Sequence, residues 1–235
     1  MKIIPKSITL IIIFLLVFIS LSAINAAEHN ITNTTSGGLN RTVTDAGNGD
    51  IINLEEGIYT ENVTNIIINK NLTIIGKNPQ NTIIDAQKFG RIFNITSGNS
   101  LILINITLLN GTSSFGGSIL NNGTLTLENT IFTKNNVTGS GGAIYSNGTL
   151  NIINSNFINN TANSGGAIYS YDNNTLNINN SNFTINKANN LGGAIDSETG
   201  PYLILIILIS LIIQQQVKEE LYTLKIDMDH SKDLI

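Results

Sequence analysis

The sequence predicts an all-β fold, a parallel β-helix (β-solenoid) with coils of about 24–27 residues. Three observations lead there. A Gly-Gly-small-Ile motif recurs four times, as Gly116-Gly117-Ser118-Ile119, Gly141-Gly142-Ala143-Ile144, Gly165-Gly166-Ala167-Ile168 and Gly192-Gly193-Ala194-Ile195. Its intervals of 25, 24 and 27 residues are those of a solenoid. Within each period the copies align on a phenylalanine, Phe132, Phe157 and Phe183, preceded at seven residues by Leu125, Leu150 and Leu176 and at five by Leu127, Ile152 and Ile178. That two-residue alternation marks a strand with one buried face. Finally, the repeats are crowded with Gly, Asn, Thr, Ser and Ile, which are weak helix formers, so a coil of stacked strands is favoured over a helical hairpin.

Taken in chain order, residues 1–26 read as a secretory signal: Lys2 and Lys6 precede the apolar run Ile8 to Leu21, and small residues at Ala23, Ala26 and Ala27 follow, with cleavage expected near Ala26. The run is shorter than the ~20 residues that cross a bilayer. Residues 27–38 read as a linker and residues 39–89 as N-terminal capping coils, in which GDIINLEEGIY and NLTIIG show short alternating stretches with glycine stops. Residues 90–200 are the regular repeats. Their first, degenerate copy begins at GRIFN and places Leu101, Leu103, Asn105 and Leu108 in the Leu, Leu, Asn and Phe slots.

Residues 201–235 share none of this pattern. The segment from Leu203 to Ile213 is too short to span a membrane and too apolar for a loop. Back-translating Gln215 to Tyr222 with suitable codons and reading one frame over restores TSKGGAI at about the repeat interval. The expectation is a frameshift near Pro201 that truncates a longer protein, with a membrane-anchoring tail as the alternative.

Two families of asparagine accompany the phenylalanines: Asn129, Asn154 and Asn180 three residues before, and Asn135, Asn160 and Asn186 three residues after. Asparagine tolerates the left-handed backbone of a tight corner, and stacked amides bond one another from coil to coil. The Gly-Gly pairs serve bends in which a Cβ would clash. Because packing requires such residues in every coil, whereas a catalytic group is needed once, the glycines, phenylalanines and asparagines are all assigned to structure.

The segments GGAIYS and TLNIINSNFINN resemble the GGA(I/L/V) and FxxN repeat of the chlamydial-type polymorphic outer-membrane proteins. The layout from GD-x-I-x-L-x-x-G-x-Y through NLTIIG to the GGAI coils is similar to adhesin-like proteins of methanogenic archaea and to the pectin-lyase-like superfold, over residues 39–200. The resemblance implies a right-handed parallel β-helix displayed outside the cell or on its surface.

A net charge of -4 with 12% charged residues argues against a nucleic-acid partner. Without cysteine there is no disulfide framework, so an exported chain relies on its ladders. Asn-x-Thr/Ser sequons occur about fifteen times, Asn122 and Asn147 at one coil position. Acids in the regular coils are Glu128, Asp172, Asp196 and Glu198, the basic residues there beyond the entering turn that carries Arg91 are Lys134 and Lys187, and both histidines, His29 and His230, lie outside them. Paired carboxylates or an acid cluster with a base would be needed for glycosidase or calcium-dependent lyase chemistry. Asp85, Lys88 and Arg91 form the best charged cluster and read as a solvated turn. No catalytic, cofactor or metal residue is therefore assigned. The expectation is a non-enzymatic, adhesin-like protein with glycans or cell-surface proteins as partners, no membrane contact after signal cleavage, and self-association at an open C-terminal coil. The alternatives are a polysaccharide lyase or glycoside hydrolase of the pectin-lyase-like fold, and an inert surface spacer.

Overall fold

The computed structural model describes residues 26–171 and 174–197. Residues 1–25 of the signal sequence, the aberrant tail, Asp172 and Glu198 lie outside these. The described chain winds into a parallel β-solenoid of about seven turns, its strands gathered into four parallel sheets along the axis.

The first sheet has seven strands: Glu28–Ile31, Ile51–Leu54, Leu72–Gly76, Ser100–Ile104, Thr124–Glu128, Thr149–Ile153 and Leu176–Asn179. The second runs from Gly57–Tyr59 through Thr82–Asp85, Thr107–Leu109, Ile131–Thr133 and Asn156–Ile158 to Asn182–Thr184. The third runs from Ile66–Ile68 through Phe93–Ile95, Ile119–Asn121, Ile144–Ser146 and Ile168–Ser170 to Ile195–Ser197. A fourth, of Thr112–Ser113, Asn136–Val137, Thr161–Ser164 and Lys187–Leu191, closes the later coils.

Register is what the fixed offsets require. Leu72, Leu101, Leu125, Leu150 and Leu176 form one column through the bore. Tyr59, Ile84, Leu108, Phe132, Phe157 and Phe183 form another. Leu125, Leu150, Phe132 and Phe157 have no solvent exposure. The rings of Phe132 and Phe157 stack at 4.9 Å and 5°, and those of Phe157 and Phe183 at 4.8 Å and 6°, the spacing of neighbouring strands.

The two asparagine families do different work. Asn105, Asn129, Asn154 and Asn180 stand at the corner between the first and second sheets with φ of 48–58°. Their exposed amides link coil to coil, Asn129 Nδ2 donating to Asn105 Oδ1 and Asn180 Nδ2 to Asn154 Oδ1, both at 2.6 Å. Asn135, Asn160 and Asn186 instead turn inward and are buried. Each Oδ1 there accepts from the coil before it: Asn160 Oδ1 takes the Asn135 backbone N–H at 3.1 Å and its Nδ2 at 2.9 Å, and Asn186 Oδ1 does the same for Asn160. The column thus satisfies the buried polar groups of a bend that no sheet ladder serves.

The Gly-Gly bend combines both glycine properties. Gly141 has φ +70°, and a Cβ on Gly142 would run into the Gly166 carbonyl of the next coil. Gly116, Gly165 and Gly192 share the left-handed φ, and Gly117, Gly166 and Gly193 follow them.

At the N-terminal end the structure adds two elements. Residues 27–38, expected as a linker, contain the strand Glu28–Ile31, which pairs in parallel with Ile51–Leu54. A helix, α1 (Gly38–Asp45), then packs Leu39 and Val43 against the core. Lys70 Nζ donates to Val43, Thr44 and Ala46 carbonyls at 3.3, 3.0 and 2.7 Å. This satisfies carbonyls that α1 leaves open at its C-terminus. No helix among the described residues is long and apolar enough to cross a membrane.

Candidate functional site

Where the third sheet turns into the first, the repeat reads Asn-Gly-Thr, at 122–124 and again at 147–149. Glycine leaves the corner without side chains, while the residue that follows sends a hydroxyl outward from the first strand position. Ser100, Thr124 and Thr149 are in register there. The result is a groove of about 470 Å³ lined by Asn71, Asn99, Ser100, Asn122, Thr124, Thr149, Asn174 and Thr175, with Gly98, Gly123 and Gly148 among its lining residues. It follows the solenoid axis over five coils, ~19 Å at the usual spacing between strands.

The lining amides are held in place by their own bonds. Asn147 Nδ2 donates to Asn122 Oδ1 at 2.9 Å, Asn71 Oδ1 accepts from Ser100 N and Oγ at 2.9 Å each, and Asn174 Nδ2 donates to the Tyr171 carbonyl at 2.8 Å. On the adjoining outer face of the first sheet, Asn177 Nδ2 donates to Asn151 Oδ1 at 2.7 Å, and Asn151 Nδ2 to Thr126 Oγ1 at 3.4 Å. Amides and hydroxyls each donate and accept, which matches the hydroxyls of a sugar chain.

An aromatic stripe runs along the third sheet, with Tyr169 itself buried. Tyr145 and Tyr169 stack at 5.0 Å and 11°, Phe115 meets Tyr145 edge-on at 5.4 Å, and Phe115 and Tyr171 are about half exposed. Tyr145 lies two residues before Asn147, whose amide is bonded to the lining residue Asn122. Aromatic faces with a polar rim suit partners that are apolar on one side and wet on the other. The repeated tyrosine of GGAIYS is a visible signal that sequence reasoning left unused.

The charged cluster expected as a turn does not converge. Asp85 Oδ1 accepts from the Gln87 N–H at 2.8 Å and from Asn110 Nδ2 at 2.9 Å. Arg91 points elsewhere: its Nε donates to the Gly116 carbonyl at 2.9 Å, and one terminal nitrogen to Ser113 Oγ and the Phe115 carbonyl at 2.7 and 2.6 Å. Half-burial lowers the Arg91 pKa from its ordinary value. Lys88 and Lys134 are exposed at left-handed corner positions, φ 64° and 56°. Among the described residues no three His, Cys, Asp or Glu side chains come together as a metal site would require.

No known protein family matches the chain, and no curated protein does. The polymorphic-repeat and adhesin resemblances therefore rest on the quoted residues alone. Among solved structures, a mutant of AlyGC, an alginate lyase of family PL6, superposes with a TM-score of 0.52 at 18% sequence identity. The match covers 70% of this chain and 25% of that one, so the chain spans about a quarter of the lyase's length. At that identity the likeness shows a shared fold alone, the parallel β-solenoid. The likeness corrects the expectation that this protein is not an enzyme, since the same coil architecture carries a polysaccharide lyase.

Proposed function

We propose that this protein is a polysaccharide-active β-helix that seats a uronate-containing chain along the 71–175 groove and cleaves it by elimination. The groove carries the reading: an axial trough of repeated amides and hydroxyls is matched to a polymer. The lyase step is supported by the fold shared with an alginate lyase. Elimination would pass the proton on the carbon beside the uronate carboxylate to a base and break the glycosidic C–O bond, whose oxygen leaves as a protonated hydroxyl. A C=C bond is left at the new chain end, and the net change is transfer of that proton to the departing oxygen.

The test is incubation with alginate and other polyuronides while the ultraviolet absorbance of that unsaturated end is followed. Absorbance should rise, and the double variant Asn122→Ala, Thr149→Val should lower kcat/KM about tenfold through two lost hydrogen bonds. Neither binding nor cleavage with any polyuronide would overturn the proposal. Retention of polysaccharide without cleavage would support instead the attachment role of an adhesin-like surface protein, which the amide-rich flank of an exported chain favours.

A further inference from the structure

Asp50 is a buried carboxylate, 5% exposed, at the N-terminal end of the solenoid. Its Oδ1 accepts from the backbone nitrogen of Ala27 at 2.8 Å, and its Oδ2 from the Gly47 N–H and His29 Nε2, both at 2.7 Å. The Ala27 carbonyl accepts from the Ile51 N–H at 2.9 Å, so Ala27 is held at both ends of its backbone. Ala26, one residue earlier, is exposed. All three donors are groups without a full formal charge when His29 is neutral, an unusual setting for a buried carboxylate.

The sequence places the signal-cleavage point at this same peptide bond. Hydrolysis after Ala26 would turn the nitrogen that already touches Asp50 into an α-ammonium, with no movement of the chain. We propose that Ala27 is the mature amino terminus, and that its α-ammonium pairs with the Asp50 carboxylate as a latch that strengthens the hold of the strand Glu28–Ile31 on the first coil once the leader is removed.

The surroundings fit a single positive charge there. His29 faces a recess lined by Arg41, Thr42 and Asp45 of α1, where Arg41 and Asp45 already pair with each other at 3.4 Å. Lys70 is committed to the carbonyls at the end of α1. The hydrogen bond from His29, and then those from Ala27 and Gly47, lower the Asp50 pKa from 3.8 to about 2. Its share of stability is therefore present above the ordinary carboxylate value and lost as pH falls through about 2. An α-amino group, ordinarily at ~7.7–8.0, is raised by such a partner. Its share is complete below ~8 and disappears as pH rises through the higher folded value.

Two measurements decide the matter. The amino terminus of the exported protein, read by sequencing and intact mass, should be Ala27. Thermal melting of residues 27–235 at pH 6 should then be compared for the free amine and the Nα-acetylated form. The free amine should melt at least ~2–4 °C higher, a gap that closes at strongly alkaline pH and in Asp50→Asn. A different first residue, a retained leader, or equal melting of the free and acetylated forms would overturn the latch. If Asp50→Asn does not fold, the acetylation comparison on unaltered Asp50 still decides.

Discussion

Replacing Phe157 with alanine is expected to lower the free energy of unfolding by about 3–5 kcal/mol. The ring is fully buried and stacked on both faces, against Phe132 at 4.9 Å and Phe183 at 4.8 Å, so truncation opens a cavity between two coils that cannot close without breaking register. The companion change Lys134→Ala removes an exposed side chain and should stay within about 0.5 kcal/mol. Urea denaturation of the two variants checks both values. Equal effects would mean that the phenylalanine column is not part of the core.

Asn160→Ala should cost a similar amount, about 3–5 kcal/mol, by a different route. Its amide Nδ2 donates to the Phe132 carbonyl at 3.0 Å and to Asn186 Oδ1 at 2.9 Å, while its Oδ1 serves both nitrogens of Asn135. Alanine leaves the buried Asn135 backbone N–H unpaired and reduces Asn135 Nδ2 to its long 3.4 Å bond with the Leu108 carbonyl, at roughly 1–3 kcal/mol for each group. The outer-corner counterpart Asn154→Ala is exposed to water and loses an amide link that solvent can replace, so its cost should be smaller. Denaturation midpoints for the pair provide the check, and an Asn154 effect as large as that of Asn160 would contradict the inward placement.

The columns were legible because a parallel coil repeats its own register. Leu125 and Leu150 sit at one offset from their phenylalanines, and a strand's two-residue alternation then fixes which residues enter the bore. The degenerate coil at Leu101 and Leu108 was readable for the same reason.

At the N-terminal end the signal thins. The strand Glu28–Ile31 buries fully only Ile31, and α1 announces itself by only two residues, Leu39 and Val43, one turn apart. The inward turn of Asn135 and Asn160 was hidden because sequence offset does not distinguish a corner facing water from one facing the core. The groove was hidden for another reason: Gly98, Gly123 and Gly148 contribute absent side chains, which become a trough only once the coils stack. Nor could the sequence show that Ala27 and Asp50, 23 residues apart, meet at 2.8 Å.

The most direct test of the account is the affinity of the protein for uronate oligosaccharides of increasing length, measured by calorimetry. If a sugar chain lies along the groove, affinity should rise with each added unit until the ligand fills its ~19 Å, then level off, and Asn122→Ala with Thr149→Val should flatten the series. Binding that is independent of length, or unchanged in that double variant, would contradict it.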